Sequence, residues 1–208
     1  MKDLWFVRHG ESELNTYDHL VVGRCNSSPL SEKGVRQAIS LGKRLNDEQI
    51  NFDRFYSSTA VRAVETLRHV IEQTAYPDQV VAESPDLLEM DQGDWERRPR
   101  LEVYTPEVFE QLKQDCYHFS PPHGESQKQV EERMFSWLQK EIFADAEQNI
   151  RALIVTHGMA IKCLLRGILE SNPSMTYKIN INNTSITQLI HNHRGWNIER
   201  VNDVSHLQ

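Results

Sequence analysis

The stretch LWFVRHG at Leu4–Gly10 decides the fold. Its four apolar residues form a continuous run, which is typical of a strand buried on both faces of a parallel sheet. The run stops at an Arg-His-Gly triplet, and the apolar run Ala152–Val155 stops in the same way at Thr156–Gly158, a Thr-His-Gly triplet. Ligands of open α/β sheets bind beyond the carboxyl ends of such strands. We therefore expect His9 and His157 to face one crevice.

Helical periodicity separates the predicted strands. Apolar residues recur at helical spacing after Gly158, and they do so again in residues 35–45, 61–71 and 130–138. Further strands are predicted at 53–56 and 79–82, and residues 185–190 and 196–201 resemble a closing hairpin. Alternation of strands and helices predicts an α/β fold, a three-layer α/β/α sandwich with a mostly parallel central sheet.

The length of 208 residues fits a single domain spanning 1–208. Residues 86–125 are less regular and contain four prolines, at positions 99, 106, 121 and 122. Prolines interrupt helices and strands. This segment is therefore predicted to be a short insertion over the ligand-binding end of the sheet.

Charge and cysteine usage exclude several function classes. The 30 acidic residues outnumber the 23 basic ones, and the net charge of −7 argues against nucleic acid and anionic membranes as partners. The three cysteines have neither disulfide nor zinc-ligand spacing, so no metal is expected. The N-terminal apolar run of four residues is too short for a signal peptide or a membrane span, which indicates a cytoplasmic protein.

An ordered series of motifs gives the chain a family resemblance. It begins with Arg8–Ser12 (RHGES) and Asn15 and continues through the segments 23–24, 29–34, 56–58, 62–66, 89–96, 124–126 and 156–158. In this order the motifs resemble the histidine phosphatase superfamily, which also contains cofactor-dependent phosphoglycerate mutases. The resemblance extends from residue 4 to about residue 190, and it implies a phosphoglycerate mutase-like fold and a reaction that needs no cofactor.

The resemblance also implies catalytic roles. His9 would attack phosphorus and form a phosphohistidine, with its other ring nitrogen donating to a backbone carbonyl. Arg8 and Arg62 would bind the phosphoryl oxygens through their planar guanidinium groups. His157 would donate to the same oxygens in its neutral or its cationic form, and Glu89 would protonate the leaving oxygen and later deprotonate water.

Six further residues are predicted to bind substrate. They are Asn15, Arg24, Ser58, Gly158, Arg97 and Arg98. The last two depart from the family pattern, in which glycine often follows Trp95-Glu96; here Arg97-Arg98-Pro99-Arg100 follows. These arginines could recognise a second anionic group on the substrate.

The sequence favours a phosphomonoester hydrolase that acts on a small phosphorylated metabolite. A phosphoglycerate mutase is the alternative within the family. The resemblance disfavours it, because mutases of the family look longer between the positions of Glu89 and His157 and after the last predicted strand. A non-catalytic phosphate-binding module is disfavoured because all five catalytic residue types are present. The identity of the phosphate ester and the oligomeric state stay open, a homodimer included.

Overall fold

Six strands form one central sheet in the computed structural model, which describes residues 1–74, 79–144 and 149–208. They are β1 (Lys2–Arg8), β2 (Arg54–Ser58), β3 (Val81–Ser84), β4 (Ile150–Thr156), β5 (Ile186–Asn192) and β6 (Gly195–Asp203). Their order across the sheet is β3-β2-β4-β1-β5-β6. The first four in this order run parallel, whereas β5 and β6 are an antiparallel hairpin at the edge. The prediction of an α/β fold with a mostly parallel sheet is confirmed.

Two strands end later than the sequence pattern predicts. The strand predicted at 53–56 is β2 and ends at Ser58, and the strand predicted at 79–82 is β3 and ends at Ser84. In both cases polar residues extend the strand, because Ser57 pairs with Val155 and Ser58 pairs with Ser84 in the hydrogen-bonded ladder. Pairing with a buried neighbour outweighs side-chain preference at these positions.

Six α-helices lie in the described part of the chain. They are α1 (Glu32–Asp47), α2 (Val61–Ile71), α3 (Arg100–Val103), α4 (Pro106–Asp115), α5 (Gln127–Leu138) and α6 (Gly158–Ile168). Short 3₁₀ helices occur at Glu13–Thr16, Pro85–Leu87, Gly93–Trp95, Pro173–Tyr177 and Ser205–Leu207, and a π-helical turn at Gln139–Phe143 follows α5. None of the helices in these ranges is both long and apolar enough to cross a membrane.

The core has two halves, one on each face of the sheet. Leu4 and Phe6 of β1 pack with α5 and α6, whereas Trp5 and Val7 pack with α1 and α2. Side chains alternate between faces along a strand, so a continuous apolar run fills both halves at once. Helices on both faces make the three layers that the alternation of elements predicts.

Capping interactions fix the start of α5. The Ser126 hydroxyl accepts a hydrogen bond from the Gln129 amide at 3.3 Å, and the Gln129 side-chain oxygen accepts one from the Ser126 amide at 2.8 Å. This pair of bonds is a reciprocal capping box. Such a cap stabilises a helix by about 1 kcal/mol.

The segment 86–125 lies over the carboxyl ends of the strands and has a small core of its own. Trp95 and Val103 pack with Val21, which belongs to the loop after β1. An isolated bridge between Leu20 and Pro99 joins the same two segments. Helix α4 has no buried residue, so it is the most loosely attached helix of the segment.

We expect Leu164→Ala to lower the free energy of unfolding by about 2–5 kcal/mol, because the side chain is fully buried between α6 and the sheet. Leu169 follows the same helix but is 52% exposed, and Leu169→Ala should cost less than about 0.5 kcal/mol. Urea denaturation followed by tryptophan fluorescence measures both values. Equal losses would contradict the packing of α6 against the sheet.

Candidate active site

The register of β1 and β4 brings two histidines together. Arg8 pairs with Thr156, so the next residues, His9 and His157, leave the sheet side by side. The His9 amide donates to the Thr156 carbonyl at 2.9 Å, and the two imidazole centroids are 4.9 Å apart. Both histidines are buried. They lie side by side at the carboxyl edge of the sheet, where His9 lines the cavity described below and His157, which is fully buried, does not.

Arg62, the second residue of α2, joins these histidines. Its Nε donates to His9 Nε2 and one Nη2 hydrogen goes to His157 Nδ1, both at 3.2 Å. The remaining three N–H groups donate to backbone carbonyls of the loop after β1, at Gly23, Arg24 and Cys25. A guanidinium has five N–H donors, and all five are engaged here.

These contacts assign the tautomers of the two rings. Arg62 is only a donor, so His9 Nε2 and His157 Nδ1 must both carry lone pairs. The proton of His9 is therefore on Nδ1, which donates to the Gly10 carbonyl at 2.6 Å. The proton of His157 is on Nε2, which donates to the Ser58 hydroxyl at 2.8 Å.

Burial keeps both imidazoles neutral. Desolvation, together with the positive charge of Arg62, holds the pKa of His9 and the pKa of His157 well below the usual value of 6.5. The backbone hydrogen bond of His9 to Gly10 opposes the shift of its pKa but does not reverse it. A neutral His9 has a lone pair available for attack. The lowered pKa of His157 favours the neutral form of this ring as well.

Arg8 is the last residue of β1. Its Nη1 donates to the Ile181 carbonyl at 2.7 Å, whereas its buried Nε has no partner among the described residues. Desolvation lowers the pKa of Arg8, and the charge of Glu89 opposes that shift. Arg8 also lines the cavity described below, so its guanidinium is placed to bind an anion there.

Glu89 follows the 3₁₀ helix after β3 and docks on the amino end of α6. Its Oε1 accepts from the Met90 amide at 2.8 Å, and both of its carboxylate oxygens accept from the Met159 amide, at 3.1 and 3.2 Å. A Cβ placed on Gly158 would lie 3.8 Å from Glu89 Oε2 and 3.7 Å from Arg8 Nε. Glu89 thus lies next to Arg8, within reach of a group bound there.

Residues 181–184 hold the backbone of Arg8 and His9 from the other side. The Asn183 side chain donates to the His9 carbonyl at 2.9 Å, and the Thr184 amide donates to the Arg8 carbonyl at 2.8 Å. Thr184 has a φ of 56°, which is unfavourable for a β-branched residue. Sequence reasoning missed this positioning role, and the nearest signal was the polar triplet Asn183–Ser185 immediately before β5.

The crevice opens into a cavity of about 900 Å³. Arg8, His9, Arg62 and Glu89 lie on its lining, together with Asn15 and Gly158 from the predicted substrate-binding set. The outer part is largely apolar and aromatic and is contributed mainly by the segment 86–125, with Trp95, Leu101, Tyr104, Phe109, Leu112 and Phe119. The size fits a small organic ligand.

Ser58 and Arg24 contact His157 and Arg62 respectively but do not line the cavity. Ser58 is fully buried behind His157 and fixes its ring. Arg24 pairs with Asp91 at 3.3 Å and with Glu125 at 2.8 Å, which ties the loop after β1 to the segment 86–125. Both residues therefore support other parts of the site and do not face a ligand directly.

The structure does not bring Arg97 and Arg98 to the cavity. Arg97 hydrogen-bonds the Cys25 thiol, and Arg98 lies 3.5 Å from Glu102 in an exposed ion pair. Arg100 is the only one of the three neighbouring arginines on the cavity lining, and its Nε donates to the Asp18 carbonyl. The residues after Glu96 turn with a positive φ at Arg97, which a sequence pattern does not reveal.

Glu96 and Lys162 are two functional candidates that sequence reasoning did not single out. The Glu96 carboxylate accepts from the amides of Arg24 and Cys25, so it fixes the carbonyls that receive Arg62. Lys162 lies one turn into α6 and lines the cavity. Its spacing of four residues from Gly158 was the available signal, since residues four apart share a helix face.

No group of three or more histidine, cysteine or acidic side chains within residues 1–74, 79–144 and 149–208 is arranged to hold a metal ion. The polar residues on the cavity lining are instead cationic or neutral, apart from Glu11, Asp18 and Glu89. Such a donor set attracts an anion, and two guanidinium groups beside an imidazole suit a phosphoryl group.

Comparisons with known proteins agree with this geometry. Residues 4–204 match the histidine phosphatase superfamily (branch 1). The protein named probable phosphoglycerate mutase GpmB of Cronobacter sakazakii is 32% identical over 216 residues, which cover 100% of this chain and 95% of that relative. Phosphoserine phosphatase of Entamoeba histolytica, solved in complex with 3-phosphoglyceric acid, is 26% identical with a TM-score of 0.86.

A mutant of the same amoebal phosphatase, solved in complex with phosphoserine, is 25% identical with a TM-score of 0.84. In both comparisons the alignment covers 100% of this chain and 100% of the solved chain. The similarity therefore includes every element that positions the crevice. With its family match over residues 4–204, this chain belongs to the histidine phosphatase superfamily, whose members are phosphatases or mutases.

Proposed function

We propose that the chain hydrolyses small phosphomonoesters through a phosphohistidine on His9. The observation that carries this proposal is the state of the His9 ring. Its Nδ1–H is fixed on the Gly10 carbonyl, and its Nε2 lone pair lies 3.2 Å from the Arg62 guanidinium. A neutral nucleophile directed at a cation is what attack on an anionic phosphoryl group requires.

In the first step the substrate phosphoryl group displaces the imidazoles as the partner of Arg62 and also binds the guanidinium of Arg8. His9 Nε2 then forms a bond to phosphorus while the bond from phosphorus to the ester oxygen breaks. Glu89 donates its proton to the departing alkoxide. The cations stabilise the charge on the equatorial oxygens, which is the main catalytic term in phosphoryl transfer.

In the second step water attacks the phosphohistidine. Glu89, now a carboxylate, takes a proton from that water while the bond between phosphorus and His9 Nε2 breaks. Inorganic phosphate and neutral His9 result, so the enzyme returns to its starting protonation state. Glu89 is suited to both directions because its backbone partners, the Met90 and Met159 amides, hold it in place next to Arg8.

A phosphoglycerate mutase is the second candidate, because the full-length relative from Cronobacter carries that name. A mutase and a phosphatase share the first step, and a mutase returns the phosphoryl group to a second substrate before water reaches it. The structural similarity to a phosphatase over the whole of both chains supports hydrolysis. The products of one reaction distinguish the two candidates.

A radiolabelled phosphomonoester mixed with the protein and quenched with base within milliseconds should leave acid-labile phosphate on His9. His9→Ala should abolish the label and lower kcat/KM more than about 10³-fold. His118→Ala is the matched control, because the His118 side chain is exposed, hydrogen-bonds Asp115 and lies outside the cavity lining. Absence of label from the unmodified protein would overturn the proposal.

The reaction of the radiolabelled ester is then repeated with unlabelled 3-phosphoglycerate added. The labelled products distinguish a phosphatase from a mutase. A phosphatase releases labelled inorganic phosphate in proportion to ester consumed. Labelled bisphosphoglycerate or 2-phosphoglycerate would instead favour the mutase. Binding of phosphate without label or turnover would favour a non-catalytic module.

Arg62→Lys should lower kcat/KM for p-nitrophenyl phosphate by about 10²- to 10³-fold, because one ammonium cannot replace a guanidinium that contacts both imidazoles. Arg68→Lys on the same helix is the control, since Arg68 is exposed and lies near Glu72 and His69, away from the cavity lining. Thermal melting of both variants separates loss of catalysis from loss of fold. A change below about threefold for Arg62→Lys would contradict its proposed role.

The His9 ring should stay neutral as pH falls through 6.5, because burial and Arg62 lower its pKa. Protonation, and with it loss of the nucleophile, then occurs only at pH well below 6.5. Titration of the histidine rings by NMR measures this directly, with His9→Gln for assignment and a histidine peptide as the reference near 6.5. Kinetics alone would be ambiguous, since a phosphate ester itself titrates near pH 6. A His9 midpoint at 6.5 would contradict the prediction.

A further inference from the structure

Lys162 is an unpaired cation in the active-site cavity. It lies on α6, four residues after Gly158, and both residues line the cavity. The side chain is half-buried, yet it has no hydrogen bond or ion pair with any residue in the described ranges. Lysine is seldom withdrawn from water unless an opposite charge meets it. The missing partner is therefore expected in the cavity.

The groups around Lys162 do not supply that partner. Desolvation lowers the pKa of Lys162, and the charges of Arg8 and Glu89 act on it in opposite directions. Glu89 is the only carboxylate among these neighbours, and its oxygens are committed to the Met90 and Met159 amides. Cys163, the next residue, is buried with a pKa raised above the usual range, so its thiol is uncharged.

Charge balance during catalysis points the same way. In the first step proposed above, Glu89 carries a proton and is neutral. Arg8 and Arg62 then match the two negative charges of the phosphoryl group. Lys162 is left with one positive charge. The other two carboxylates on the cavity lining, Glu11 and Asp18, make no ion pair with it, since Glu11 pairs with Lys33 and Asp18 lies near His19.

We propose that Lys162 binds a second anionic group, a carboxylate, on the alcohol part of the phosphomonoester substrate. The inference rests on the proposed hydrolase function and names its substrate class: phosphate esters of hydroxy acids. A carboxylate has the single charge that Lys162 can match, whereas a second phosphate would add two. Lys162 is thus a specificity residue, which takes the place first assigned to Arg97 and Arg98.

Two phosphate esters that differ only in the presence of the carboxylate test the proposed role of Lys162 directly. 3-Phosphoglycerate has a carboxylate where glycerol 3-phosphate has a hydroxymethyl group. Lys162→Met should lower kcat/KM for 3-phosphoglycerate by about 10- to 100-fold, chiefly through KM, since a charge-assisted hydrogen bond is lost. It should change kcat/KM for glycerol 3-phosphate by less than about threefold. Phosphoserine and phosphoethanolamine form a second such pair.

Two variants control the experiment. Lys162→Arg keeps the charge and should recover most of the preference for the carboxylated ester. Lys43→Met removes an exposed lysine of α1, outside the cavity lining, and should change neither substrate. Equal loss on both substrates in Lys162→Met would assign the lysine to phosphoryl transfer and overturn the proposal, as would no loss on either.

Calorimetric binding of the same two esters keeps the test independent of turnover. If the unmodified protein binds them but releases no phosphate, hydrolysis is overturned while binding still decides the role of Lys162. A loss of affinity in Lys162→Met that is confined to 3-phosphoglycerate supports the carboxylate subsite. Equal affinity of the unmodified protein for both esters overturns it.

Discussion

The Arg62 guanidinium is the constraint on which the rest of the site depends. It gives one N–H to each histidine and three to carbonyls of the loop after β1, so a single planar group sets the distance and tautomer of both rings. Glu96 in turn fixes the amides of that loop. Arg62 donates both to the loop carbonyls and to the two rings. A change in the loop therefore changes the position of the His9 ring even where no loop side chain touches His9.

The sheet provides the other half of this arrangement. The parallel register of β1 and β4 sets His9 beside His157. The backbone carbonyls of Arg8 and His9, at the end of β1, accept hydrogen bonds from Thr184 and Asn183. Gly10 and Gly34 let α1 approach the loop, since a Cβ on Gly34 would lie 2.0 Å from the Glu11 carbonyl oxygen. Packing on both faces of a buried strand thus determines where an imidazole can point.

The sequence predicted the elements and the residues whose type is tied to local pattern. Apolar runs ending in His-Gly located both histidines, and helical spacing located α1, α2, α5 and α6. It failed where partners are distant in the chain. The turn at Arg97 depends on contacts with Val21 and Cys25, more than 70 residues away, and no local pattern encodes them. Lys162 is a similar case, because an unpaired lysine differs from a solvated one only in its surroundings.

The distribution of ion pairs explains how a chain of net charge −7 can attract an anion. Arg24, Arg133 and Arg166 are paired with carboxylates, which cancels their charge. By contrast, Arg8 and Arg62 donate to carbonyls and imidazoles, and Lys162 has no described partner. Neutral acceptors fix the position of a guanidinium without neutralising it. The cations of the cavity therefore keep their full charge for a ligand, and at short range this local charge outweighs a diffuse negative surface screened by salt.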